Sequence, residues 1–219
     1  MTCPCCESKN INDLDNTFGT DRARRDAKKY LRRGLDTRAE KLIAFVSDKL
    51  AKDATVLEVG CGAGGVHQEL LRRQVAVAAV GVDASSSYLA AAQENAGTLG
   101  LVDQVVYLHG DFAQSAEFNT HADLVLLDRV ICCYPDLQAL LGKAAAHTQQ
   151  YLAISFPIDR WWVRLVHHIG DLALKLTGSG YHPYVHAYED IVAVAAAAGL
   201  QPVHSARRHI WQIAVFERI

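Results

Sequence analysis

Five apolar runs recur along the chain: TVLEV (55–59), VAVAAVGV (75–82), QVVYL (104–108), ADLVLLD (122–128) and QYLAISF (150–156). Each is apolar at successive positions, so each must be buried on both faces, as in the strands of a parallel sheet covered by helices. Parallel neighbours need long crossovers, and amphipathic stretches separate most of the runs. Residues 21–33 read as a charged helix ending at Gly34. Thr37-x-x-Glu40 reads as a capping box opening a helix with Leu42, Ile43, Val46 and Leu50 on one face. VHQELLRR, SSSYLAAAQENAGTLG, the stretch after Pro135-Asp136 and EDIVAVAAAAG are further helices. At the C-terminus LQPVHSA and HIWQIAVFE are two strands joined by Arg207-Arg208, and so short a link makes them antiparallel. The last strand is apolar on both faces, which places it inside the sheet.

With 219 residues, half of them apolar, the chain can build one large domain. Lys plus Arg number 22 against 24 Asp plus Glu, so no global field points to nucleic acid. A basic stretch from Arg22 to Arg38 reads as a solvated helix face and keeps RNA as a minor option. The first residues, MTCPCCESKN, lack the apolar core of a signal peptide, and no run approaches the ~18–20 apolar residues of a membrane span. A cytoplasmic protein with mostly reduced cysteines is the expectation. Cys3, Cys5 and Cys6 have no second cluster at zinc-ribbon spacing, so no metal is expected.

The most chemical segment is VLEVGCGAGG. Gly60, Gly62, Gly64 and Gly65 stand between a strand and a helix, where missing Cβ atoms let a ligand approach backbone amides. The spacing fits a nicotinamide cofactor as well as other nucleotides. Glu58 lies inside the first strand, where nicotinamide folds usually hold an apolar residue. Asp83, ending the second strand, can hold ribose hydroxyls in either case. Asp111 discriminates better. It follows the third strand, where its carboxylate can accept from an adenine amino group with Phe112 packed on the base. His109 is placed to buttress it.

E-x-G-x-G-x-G at Glu58–Gly64, the acids at Asp83 and Asp111, and the closing antiparallel strand resemble the class I S-adenosylmethionine-dependent methyltransferases over about residues 37–219. The resemblance implies a Rossmann-like α/β three-layer sandwich with a seven-stranded, mostly parallel sheet and an antiparallel last strand. It also implies S-adenosylmethionine as cofactor: methionine end near Gly60, Gly62 and Gly64, ribose on Asp83, adenine near Ala84, Asp111 and Phe112. Asp128, Arg129 and Val130 would lie beside the transferable methyl group. YLRRGLDTRAEKL, DRVICCYPD, FPIDRWWVRLVHHIG and HIWQIAVFER further resemble the magnesium-protoporphyrin O-methyltransferases and related small-molecule enzymes. In those, an N-terminal helix supplies Tyr and Arg to the cofactor carboxylate, here Tyr30 and Arg33. On this reading 1–36 is a basic helical lid segment and 37–219 the methyltransferase domain. A helical insertion at about 157–186 lies over the acceptor site, with Trp161 and Trp162 either lid or core.

Methyl transfer from a sulfonium is a displacement with a good leaving group already present, so alignment and exclusion of water dominate. An acceptor that does not ionise readily needs a base, for which Tyr134, His182, His186 and Tyr184 are the candidates. The expected reaction methylates a small, partly apolar acceptor, with oxygen favoured over nitrogen or sulfur. The alternatives are a nicotinamide-dependent oxidoreductase, a non-catalytic S-adenosylmethionine-binding protein and an RNA methyltransferase. Base-directed chemistry is disfavoured because Asp128-Arg129-Val130-Ile131 replaces the D/N-P-P-Y/F loop that grips a flipped base. Neither does Cys132-Cys133 form a Pro-Cys nucleophile; position makes the pair a pocket wall. The sequence carries no clear signal for an oligomer interface.

Overall fold

The computed structural model describes residues 19–165, 170 and 184–219. His182, the N-terminal cysteines and most of the 157–186 insertion lie outside the described residues.

Seven strands form one sheet: β1 (Thr55–Val59), β2 (Ala78–Asp83), β3 (Val105–His109), β4 (Ala122–Asp128), β5 (Thr148–Pro157), β6 (Leu200–Arg208) and β7 (Trp211–Arg218). Their order is β3-β2-β1-β4-β5-β7-β6, with β7 antiparallel to both of its neighbours and the other pairs parallel. The final strand is thus interior, and the fold is the Rossmann-like sandwich. Period-two alternation divides the core. Val56, Leu124 and Leu126 pack beneath α2 (Thr37–Ser47), α3 (Gly65–Arg72) and α4 (Ser86–Leu99). Their neighbours Leu57, Val125 and Leu127 pack against α5 (Leu137–Ala146) and α6 (Tyr188–Ala197). Each fully buried side chain of this kind contributes about 1.5–3 kcal/mol, so both faces of these strands are constrained to stay apolar. Helix α1 (Thr20–Arg33) lies outside the three layers, with Ala23 and Ala27 against Tyr88 and Ala91 of α4.

Two local expectations are corrected. Asp36, not Thr37, caps α2, its carboxylate accepting from the amides of Arg38 and Ala39, while Glu40 reaches out to Arg73 at 2.6 Å. The helix ends at Ser47, so Leu50 lies beyond it. The β6–β7 turn is His209-Ile210 rather than Arg207-Arg208, with His209 at φ +53°. Both arginines continue β6, paired with Gln212 and Trp211.

Candidate active site

The C-terminal ends of β1, β2 and β4 open into one cleft of about 510 Å³, roofed on one side by α1. After β1 the chain reverses through Gly60, Gly62 and Gly64, at φ +64°, +53° and +79°. Space as well as backbone demands glycine at two of these: a Cβ at Gly60 would stand 2.6 Å from Cγ2 of Val130, and one at Gly64 2.4 Å from Nε2 of Gln68. Gly60 and Gly62 border the cleft, whereas Gly64 sits behind them as the N-cap of α3. Glu58 is buried, and its Oε2 accepts from the His67 amide at 3.0 Å and lies 2.6 Å from His67 Nδ1. It fastens the loop to the start of α3.

Asp83 closes the loop from the other side. Its carboxylate accepts from the amides of Gly62 at 2.7 Å and Ser85 at 2.9 Å, and burial raises its pKa. These bonds use two of the roughly four acceptor sites of a carboxylate. His109 bonds to the Ala84 carbonyl at 3.1 Å rather than to Asp111. Asp111 instead accepts from the Ala113 amide at 2.9 Å and from the Tyr134 hydroxyl at 3.0 Å. Burial pushes the Tyr134 phenol up to about 12, so it is a hydroxyl donor at neutral pH. The Phe112 ring is packed against Phe118 and His147 with the Lys143 ammonium 4.7 Å from its centroid, which leaves little of it open for stacking.

At the end of β4, Asp128 is held by Arg38 and by the Ser155 hydroxyl. Arg38 also donates to Ser155 at 3.1 Å and Asp36 at 3.1 Å and lies over the Trp211 ring. Burial brings its pKa down to about 10, so it stays charged near neutrality. The next residue, Arg129, has φ +61°, a left-handed backbone that costs a non-glycine residue of order 1–3 kcal/mol and persists only where its surroundings impose it. Ser155 binds its amide through both carbonyl and hydroxyl oxygens, and the thiols of Cys132 and Cys133 both donate to its carbonyl at 3.4 Å. Val130 follows against Gly60. Cys132 is buried, Cys133 half-buried, and both border the cleft.

The remaining candidates are scattered. Tyr30 borders the cleft, its ring over Gly65 and its hydroxyl donating to Glu69 at 3.3 Å; Arg33 does not border it, although Lys29 and Arg22 of the same helix do. His186 lies outside the cleft lining, its Nε2 within 2.9 Å of the Ile131 carbonyl and 3.2 Å of the Tyr134 carbonyl. With the Tyr184 amide on the Cys132 carbonyl it ties the 184–186 segment to the 131–134 turn. Arg38, expected on a solvated helix face, is instead buried. Its position one turn before Leu42, in line with the apolar stripe of α2, was the signal for its burial. Among the described residues no group of three or more His, Cys, Asp or Glu could hold a metal ion, and no helix is long and apolar enough to cross a membrane.

A parallel sheet whose strand ends carry a glycine loop and acidic side chains in one cleft defines a nucleotide-cofactor α/β enzyme. Residues 56–150 match the family model described as a methyltransferase domain. A magnesium protoporphyrin IX methyltransferase from Synechocystis PCC 6803 with bound S-adenosylmethionine has the same fold: TM-score 0.71 at 20% identity, over 98% of this chain and 99% of that one. An O-methyltransferase family protein from Burkholderia thailandensis aligns with TM-score 0.70 at 16% identity, over 94% of this chain and 61% of that one. A release factor glutamine methyltransferase from Caulobacter vibrioides is 40% identical over 58 residues, which are 26% of this chain and 20% of that protein's length. Residues 56–150 thus carry a methyltransferase domain, and the chain as a whole has the fold of a methyltransferase that holds S-adenosylmethionine.

Proposed function

We propose that the protein transfers the methyl group of S-adenosylmethionine to a small, partly apolar acceptor, with oxygen the favoured acceptor atom. The observation that carries this reading is the Asp83 carboxylate bound to the Gly62 amide, which joins a tight glycine turn to an acid with spare acceptor sites in the same cleft as Asp111. When bound, the cofactor supplies a sulfonium methyl as electrophile and a thioether as leaving group. Asp83 accepts from its ribose hydroxyls and Asp111 from its adenine amine, with Tyr134 orienting Asp111 and Ala84 bordering the base; Phe112, packed into the core, backs this wall rather than stacking on the base. Gly60 and Gly62 give the methionine end access to backbone, with Glu58 and Gly64 setting the shape of the loop from behind. Tyr30 covers that end. Lys29, one turn before Arg33 and bordering the cleft, is better placed than Arg33 for the carboxylate.

Asp128, Arg129 and Val130 form the wall where acceptor and methyl meet, and the clamp on Asp128 holds that wall still. Both Tyr134 and His186 are engaged, the first as a donor to a carboxylate and the second on backbone carbonyls. This favours an acceptor that ionises without a protein base. O-methylation rests on the acceptor's own acidity and on the resemblance to O-methyltransferases. The two-part organisation, a 1–36 lid segment and a 37–219 domain with its insertion over the acceptor side, is part of the same proposal.

Calorimetry with S-adenosylmethionine on the wild type and Asp83→Asn tests the reading. Losing charge-assisted bonds worth about 1.5–3 kcal/mol should weaken binding roughly 10- to 150-fold. Unchanged affinity would remove Asp83 from the cofactor site. Transfer of isotopic label from the cofactor to small molecules of a cell extract, rather than to RNA, separates this reading from RNA methylation and from a non-catalytic binding role.

A further inference from the structure

One surface outside the cleft combines exposed aromatics with one sign of charge. β5 ends at Pro157, which pairs with Trp211, and the Ile158 amide then donates to the Ile210 carbonyl at 2.8 Å. The chain leaving β5 is thereby fastened to the β6–β7 turn, and the helical residues 161–165 begin three residues later. Val163 is buried and anchors that helical stretch, but its neighbours point outward: Trp161 is 77% exposed, Leu165 52% and Trp162 40%, with Ile210 of the turn at 37%. An exposed pair of tryptophans beside two aliphatic side chains is costly in water unless something covers it.

The charge around this patch says what covers it. Residues 157–165 and 205–211 hold the four arginines Arg160, Arg164, Arg207 and Arg208 against a single acid, Asp159, in a chain whose net charge is −2. Arg164 is spent on Asp159, at 2.6 Å, whereas Arg160, Arg207 and Arg208 are exposed. We infer that the Trp161, Trp162, Leu165 and Ile210 patch docks the protein on the surface of an anionic lipid bilayer. Tryptophan has an apolar body and a polar N–H and settles at the boundary between head groups and acyl chains. Arginines beside it face a negative lipid surface, each worth enough for roughly fivefold in affinity. Such a contact lies on the membrane rather than spanning it.

The inference is independent of the reaction proposed above, and vesicle binding reads it without any acceptor. The 219-residue protein is sedimented with phosphatidylcholine vesicles and with vesicles of phosphatidylcholine and phosphatidylglycerol, at low and at high salt. The expected result is pelleting with the anionic vesicles only, release by high salt, and a blue shift of tryptophan fluorescence on binding. Trp161→Ser should cut vesicle affinity about tenfold while S-adenosylmethionine affinity by calorimetry is unchanged. The double substitution Arg207→Gln/Arg208→Gln leaves the apolar patch intact; the two side chains lie on opposite faces of β6, so one of them faces the lipid and affinity should fall roughly fivefold. A wild type that stays in the supernatant with anionic vesicles overturns the inference, as does pelleting that neither variant weakens. Loss of a protein partner in the variants, with no vesicle binding by the wild type, would also overturn it and reassign the patch.

Discussion

Replacing Gly60 by alanine tests how the glycine loop and the Val130 side of the cleft depend on one another. Gly60 has φ +64°, and a Cβ there would lie 2.6 Å from Cγ2, 3.0 Å from Cγ1 and 3.4 Å from Cβ of Val130. The left-handed backbone costs alanine about 1–2 kcal/mol. Overlap with both methyls of a branched side chain adds about 1–3 kcal/mol, as overpacking generally does. Gly60→Ala should therefore lose about 2–5 kcal/mol, or roughly 4–20 °C in Tm for a domain of this size. Val130→Ala removes the two clashing methyls and keeps only the contact at 3.4 Å, so in the double variant the overlap part should return while the backbone part remains. Urea unfolding of the four proteins measures the coupling, expected at about 1–3 kcal/mol in favour of the double variant. A Gly60→Ala protein with the wild-type midpoint, or strictly additive losses, would refute the reasoning.

Two further outcomes follow from buried or clamped charges. Arg38→Met leaves the Asp128 carboxylate buried with only Ser155 as partner, so about 3–5 kcal/mol of stability should go; adding Asp128→Asn should restore most of it by urea unfolding. The Glu69 carboxyl is brought from 4.5 down to about 2 by hydrogen bonds from Arg72 and then Arg73. Between those values the unfolded chain binds the extra proton, so stability falls as pH drops from about 4.5 to 2. Glu69→Gln should flatten that part of the stability profile, and an unchanged acid slope would show that the pair does not set it.

Most strands were legible because a run apolar at successive positions favours the interior of a covered sheet; β3 is the exception, an edge strand with no fully buried residue and with Val106 exposed. Asp83, Asp111 and Asp128 were legible for the same reason: each stands where an apolar run stops, and the ends of β2 and β4 and the residues after β3 open on one side of the sheet. What the sequence hid was tertiary choice between local equals. Asp36 and Thr37 are both good caps, and Asp36 won while Glu40, the expected partner of Thr37, went to Arg73 on another helix. Arg207 and Arg208 look like turn residues, yet on edge strand β6 their side chains face water and the turn moves on to His209-Ile210. His109 could have served either neighbour and took the Ala84 carbonyl. Phe112 reads from the sequence as a base platform, yet Phe118 with His147 drew it into the core.

The left-handed Arg129 makes the wall beside the cleft a spring held under load. Its amide is caught by Ser155 and its carbonyl by two neighbouring thiols. Just beyond it, the Val130 methyls fill the space that Gly60 leaves empty. Alkylating Cys133, the more accessible thiol, would slip one catch, and the recoil would run through Val130 into the glycine turn. A chemical change at Cys133 would thereby reach the glycine turn where the Val130 methyls crowd Gly60.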